Sequence, residues 1–184
     1  MIIDNLNGDD CPASDFHNIE RIKKTERLRK KEIKSIQRIK LFLLCESAPE
    51  KRFVYDLNSQ YSKNGLRYLL RNELVDAGND EKLFDYLRKQ GVLIVDCALC
   101  SLHKLSGKKD RRAAATICLE RHTQAYLDLN PEAPIVAIFP SKCGFYKRKL
   151  PHIQGRVKHE FRFTNLTGLK DTICALTKGN SSSK

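Results

Sequence analysis

The stretch "RIKLFLLCESAPEKRFVYD", residues 38–56, opens as a short continuous apolar run and breaks off into polar residues around Pro49. The run has no alternation of polar and apolar positions. A strand of that kind is buried on both faces, as in a parallel sheet. Two further runs of the same kind are "VLIVDCAL" from residue 92 and "APIVAIFPSK" from residue 133. Amphipathic helical stretches separate them. Buried strands joined by such helices predict a three-layer α/β/α sandwich around a short, mostly parallel four-stranded sheet. Strands are expected near residues 40–46, 92–97 and 135–139. The extended stretch "HEFRFTN" supplies a fourth near 158–163.

The helices follow from their periodicity. Residues 19–39 carry Ile22, Leu28, Ile33, Ile36 and Ile39 on a broad apolar face with some drift. From residue 19 to 40 there are ten basic residues and three acids. This helix therefore either lies against a polyanion or covers a sheet edge with a solvated outer face. In "SKNGLRYLLRNELVDAG" Leu66, Leu69, Leu70 and Leu74 share a face, with Asn64-Gly65 as the candidate start and Gly78 as a candidate end. "DEKLFDYLRKQG" forms a short helix with Asp80 as a candidate cap and Gly91 as its stop. A longer helix is expected from about Arg111 to Leu129, and a last one in "LTGLKDTICALTK". The expected organisation is a disordered or loosely attached stretch over 1–18, one α/β domain with a basic N-terminal helix over 19–178, and a disordered tail over 179–184.

The 184 residues suit one domain with a substantial core. The 41% apolar content, with no tryptophan, is that of a globular protein. No apolar run is long enough to span a membrane. The acidic start "MIIDNLNGDDCPAS" lacks the pattern of a secretion signal, so a location inside the cell is expected, in the cytoplasm or at the nucleoid or nucleus. Lys and Arg number 34 against 22 acids, for a formal net charge of +12. Such an excess points to a polyanionic partner. The seven scattered cysteines lie mostly in apolar segments and are expected to be reduced core thiols. No glycine-rich dinucleotide loop follows the first strand and no Walker loop is present. The expectation is a monomer without cofactor or metal.

Ligands of parallel sheets bind beyond the carboxyl ends of the strands. Three polar stretches fall there: "CESAPEKRFVY", "DCALCSLHKLSGKK" and "FPSKCGFYKRK". Glu46 ends the first strand and Asp96 the second. Each is either a general base that reaches a bound water or a carboxylate that pairs with a neighbouring cation or amide. Ser47 either contacts a ligand or begins the turn. Phe53, Tyr55 and Tyr146 either stack on a base or anchor the core. From Lys142 to Arg162 there are seven basic residues, two histidines and one acid. Lys142, Lys147, Arg148 and Lys149 are the candidate phosphate contacts there. Cys97, Cys100 and His103 have spacing that could hold zinc, with Cys143 or His152 as a fourth ligand. The reading preferred is buried thiols. Cys45 or Cys143 as a nucleophile beside a histidine is a minor alternative.

With these motifs the chain resembles the uracil-DNA glycosylase superfamily over roughly residues 38–176. That fold is a short parallel sheet between helices. Its first motif is a polar loop with a proline after the first strand, read as Gly-Glu-Ala-Pro-Gly in the thermostable bacterial and archaeal branch and as "CESAPE" here. The stretch "GVLIVDCALCSLHKL" is similar in shape to that branch's Thr-Asn-(two residues)-Lys-Cys motif. Family members place their catalytic acid or amide one or two residues before the motif proline, whereas Glu46 stands three before it. The late His-Pro-Ser motif is replaced by His152 in "LPHIQG" or His159 in "VKHEF". The branch's four cluster-binding cysteines lack a counterpart for their first pair. The resemblance implies DNA as partner, with RNA left open, and a base flipped into a pocket. It implies Phe53 or Tyr55 stacked on that base, a carboxylate that positions water at C1′, and His152 or His159 as donor to the departing base. The alternative classes are a nucleic-acid-binding module of the same fold without the chemistry, and an α/β protein whose basic faces mediate assembly.

Overall fold

The structure is a computed structural model that describes residues 11–16, 18–48, 53–58, 65–76, 78–139 and 151–178. Strand β1, Leu41–Ser47, lies inside a four-stranded sheet, with β2, Val92–Ala98, on one side and β3, Ile135–Phe139, on the other. Beyond β3 lies β4, Val157–Arg162. All three pairings are parallel, and Cys45 stands opposite both Asp96 and Ile138. The unbroken apolar runs have the predicted cause. Every residue of β2 and β3 is buried, as is β1 from Leu41 to Cys45. Edge strand β4 buries neither face completely, which is why its sequence is the least apolar of the four.

Helices cover both faces of the sheet. On one face lie α2, Leu66–Val75, α3, Asp80–Gln90, and the C-terminal α7, Leu169–Lys178. On the other lies a single rod: α4, Lys108–Cys118, one π-helical turn over Leu119–Thr123, then α5, Gln124–Leu127. A four-residue helix α6, Pro151–Gln154, precedes β4. Helix α3 begins one residue earlier than its candidate cap implied. Asn79 is the cap, its side chain accepting from the Lys82 N–H at 2.9 Å, and Asp80 sits in the first turn, where its charge favours the helix dipole. Helix α2 stops before Gly78, with Asp76 itself left-handed at φ 50°. Gly91 is required where it stands. Its φ is 69°, and a Cβ there would lie 2.4 Å from the Arg38 carbonyl oxygen. The Gly91 carbonyl accepts from the Lys40 N–H at 2.7 Å, which sets the start of β1 beside β2.

The N-terminal helix α1, Ile19–Ser35, is capped by the Asn18 side chain and ends four residues short of the sequence expectation. Its buried residues are Ile22, Thr25, Glu26, Arg29 and Glu32. Two acids and an arginine are thus turned inward. Near the helix start Arg21 donates to the carbonyls of Ala48 and Leu99, just past the ends of β1 and β2. Midway Arg29 donates to the Asp96 carboxylate at 2.6 Å. Helix α1 therefore descends along the outer edge of β2, against the strand direction. Among the described residues that edge has no strand partner, and side chains reach part of its backbone. Tyr55 Oη accepts from the Ile94 N–H at 2.7 Å, and Thr123 Oγ1 donates to the Asp96 carbonyl at 2.6 Å. The segment before α1 also packs on the core, with Cys11 and Ala13 buried.

Arg29 holds this layer in place. Its side chain is 1% exposed and is paired with both Glu26 and Asp96. Its guanidinium carbon lies 5.2 Å from the Phe53 ring centre and 5.3 Å from that of Tyr126. Tyr126 in turn donates to Glu26. Burial alone would lower the Arg29 pKa, but the two carboxylates more than offset it and hold the guanidinium charged. For Asp96 burial wins over Arg29 and raises its pKa above the ordinary value. Arg29→Met is expected to cost about 3–5 kcal/mol, because two carboxylates remain buried without a cation. Asp96→Asn should cost less, and with a pH dependence. A carboxyl whose folded pKa is raised contributes stability that is full below its unfolded pKa and lost as pH rises through the folded one. The penalty for Asp96→Asn, measured by denaturant unfolding, should be largest in acid and shrink as pH rises.

Candidate functional site

In a parallel sheet ordered β2-β1-β3-β4 the chain moves from β1 to β2 on one side and then crosses back past β1 to β3 on the other. The crevice beyond the carboxyl ends of β1 and β3 is the place where such sheets bind ligands. Glu46 and Ser47 end β1 at this crevice, and both are half-buried. Cys45 faces the same side as its register partner Asp96, so Glu46 projects from the opposite face, the one covered by α4. Burial raises the Glu46 pKa above the usual carboxylate value, and Arg111 on α4 pulls it back. Arg111 is itself held by its Nε donation to the Leu105 carbonyl at 2.6 Å.

The rim is tied together by backbone. The Ala48 N–H donates to the Ala98 carbonyl at 2.9 Å, which prolongs the β1–β2 ladder past the strands. Arg21 clamps Ala48 and Leu99 from α1. The Leu99 N–H donates to Cys118 Sγ at 3.1 Å, which fixes α4 to the end of β2. Glu46 thus stands on a strand whose neighbours are braced from two directions, in a partly dry setting with one cation nearby. A carboxylate so placed can accept a proton from a water or bind a cationic group.

The other candidates are distributed differently. Asp96 is 4% exposed and bound by Arg29, so the structure gives it a place inside the core rather than in the crevice. Phe53 and Tyr55 are buried at 3% and 7% exposure and stack on one another edge-on at 5.8 Å, with Phe84 behind Tyr55. Of the two readings of this pair, the structure bears out core anchors. Burial and Tyr55's bond to the Ile94 backbone leave neither ring open to a base. His159 lies on β4, exposed. Lys142, Cys143, Tyr146, Lys147, Arg148 and Lys149 lie outside the described residues, as do the side chains of His103 and His152. The expected meeting of Glu46, Tyr55, Asp96, Lys142 and a histidine in one pocket is thus not what the described residues form. Cys11, Cys45, Cys97, Cys100 and Cys118 are free, buried thiols, and burial pushes Cys97 well up and Cys100 to about 11. Among the described residues no group of three or more His, Cys, Asp or Glu side chains could hold a metal ion. No described helix is long and apolar enough to cross a membrane.

A second concavity of about 220 Å³ lies between α1 and α3, beside Tyr55. Its main charges already pair: Arg88 meets Glu32 through two bonds of 2.8 Å. No family model, curated protein or solved structure matches the chain. The functional reading therefore stands on the residues alone.

Sequence reasoning missed Glu26, Arg29 and Tyr126. One signal for Arg29 was present. It lies seven residues after Ile22 and seven before Ile36, on the stripe that faces the core. Tyr55→Phe separates the two readings of that residue. Loss of the hydroxyl leaves the Ile94 N–H buried and unpaired, and should cost about 1–3 kcal/mol of stability. Nucleic-acid affinity, measured with the folded variant, should stay within twofold of wild type. A large loss of affinity with stability intact would restore Tyr55 to the site.

Proposed function

We propose that the chain is a DNA glycosylase-like enzyme that hydrolyses the N-glycosidic bond of a damaged or deaminated base, with Glu46 as the group that activates water. The observation that carries this reading is the place of Glu46: half-buried at the end of β1, in the crevice where the strand order reverses, with a raised pKa. The net charge of +12 supports a polyanionic substrate, and the motif resemblance of "CESAPE" supports the reaction type.

In this reading the target nucleotide is extruded from the stack so that its sugar meets the crevice. The bond from C1′ to the base nitrogen breaks, and the base leaves with the electron pair. Water oxygen bonds to C1′ and gives its proton to the ionised Glu46 carboxylate. The departing base takes a proton from solvent or from a donor such as His152 or His159. The Glu46 charge also favours the cationic character that develops on the sugar. Asp96 has no part in this scheme, because Arg29 occupies it.

Glu46→Gln keeps the size and polarity of the side chain and removes its basicity. It should slow excision at least tenfold, about 1.4 kcal/mol of transition-state stabilisation, with folding and DNA affinity unchanged. Substrates should carry uracil, hypoxanthine and alkylated bases, in single strands and mispaired duplexes. Equal rates for Glu46→Gln and wild type on a base that wild type removes would take Glu46 out of the mechanism. If wild type removes no base while binding DNA, the non-catalytic binding module becomes the better account.

The pH profile gives a second check. Glu46 works only when ionised, so excision should rise with pH through its folded pKa, which burial sets above the ordinary value. Arg111 favours the carboxylate. Arg111→Met should therefore move this acid limb to higher pH, and an unmoved limb would mean that the titrating group is not Glu46.

A further inference from the structure

The burial pattern of α1 turns two of its three acids inward and leaves most of its cations outside. Glu26 and Glu32 point inward, to Arg29 and to Arg88 on α3. Lys23, Arg27, Lys30 and Lys34 stand exposed along the opposite side, spaced four, three and four residues apart. That spacing puts them on one ridge, about 16 Å long at 1.5 Å per residue. Among the described residues none of these four is in an ion pair, whereas the neighbouring Lys24 is held by Asp56 at 2.5 Å. The helix cannot turn this face elsewhere, because Arg21 and Arg29 fasten its other side to the sheet.

We infer that the outward face of α1 is a docking surface for the phosphate backbone of a nucleic-acid duplex. From Lys23 to Lys34 the ridge is cationic, with the one exposed acid of the helix, Glu20, a turn before it, and this run complements a polymer with about one negative charge per 1.7 Å of axis. The exposed residues of α1 include no large apolar side chain, so the face lacks what an interfacial membrane helix would bury. It also has no aromatic residue on which an unpaired base could stack, which disfavours a single strand. A straight helix with regular cations suits a regular duplex backbone. The N-terminal end of the ridge lies beside the strand ends where Arg21 holds Ala48 and Leu99. A duplex seated on α1 therefore approaches the crevice at Glu46. The inference shares the nucleic-acid partner of the functional proposal, but is independent of any chemistry at Glu46.

The test compares the full chain with a variant in which Lys23, Arg27, Lys30 and Lys34 are all changed to Gln, and with a control in which Lys82, Lys89, Lys158 and Lys178 are changed to Gln. Glutamine keeps helix propensity, and equal thermal unfolding of the three proteins confirms intact folding. Affinity for a 20-base-pair duplex is measured over a range of salt concentrations. Each phosphate contact contributes about 0.9 to the slope of log K against log salt, so the α1 variant should lose about 3–4 of that slope. The control should keep the wild-type slope. An unchanged slope in the α1 variant overturns the inference. So does an equal loss in the control, which would make the effect one of net charge alone. The same holds if the α1 variant loses binding to phosphatidylserine vesicles or to a single strand but keeps its duplex binding. A wild-type protein that binds the duplex through α1 yet removes no base would leave this surface standing while the glycosylase reading fails.

Discussion

A buried guanidinium organises this molecule. Arg29 sits between two carboxylates and two aromatic rings, with almost none of its side chain in contact with water. Taking three ionisable groups out of water is costly, and their mutual attraction offsets that cost only while all three are in register. The arrangement thus has little tolerance for displacement. It joins α1 to Asp96 in the edge strand and, through Glu26 and Tyr126, to the rod on one face of the sheet. Arg88 and Glu32 make a similar tie from α1 to α3 on the other face. One helix along a sheet edge is thereby fastened to both covering layers.

Two consequences follow for function. First, the outer edge of β2 is closed to pairing, because α1, Tyr55 and Thr123 occupy it. Second, since the helix spends two of its three acids on internal cations, its solvent face carries six exposed cations, Lys23, Lys24, Arg27, Lys30, Lys31 and Lys34, against the single exposed acid Glu20. The same inward turn that makes the layer rigid makes its surface fit for phosphate. At the upper end of the helix Arg21 reaches the loops that follow β1 and β2, so the rim of the crevice is braced by the same element. Glu46 lies on that rim, on the face of the sheet opposite to the Asp96 side chain, where Arg111 is its cation.

The sheet was legible because its strands are continuous apolar runs. Leu41 to Cys45, Val92 to Val95 and Ile135 to Phe139 bury every side chain, and no surface element of this length has that composition. Boundaries followed where a residue has one physical reason to be present, as Gly91 has. The edge of the sheet was not legible, because lysine, arginine and glutamate are surface residues by default and a buried Glu–Arg pair reads as a solvated one. The drift noted in the apolar face of α1 has this origin: Glu26, Arg29 and Glu32 take positions that apolar residues hold in ordinary helices. Asp96 misled for a related reason. An acid at a strand end has the same sequence signature whether it meets a ligand or a buried arginine. For Glu46 the strand-end position was readable, while its separation from Asp96 across the sheet required the register with β2.

The central claim is that α1 is an integral layer of the fold and not an attached basic arm. Native-state hydrogen exchange of the wild-type chain tests it most directly. If Arg29 bolts the helix to the sheet, the amides from Thr25 to Glu32 should exchange only through openings close to the global unfolding free energy, together with those of β2, and should fall with them as denaturant is added. Exchange of the α1 amides through a local opening several kcal/mol below the global value, with β2 still protected, would contradict the account.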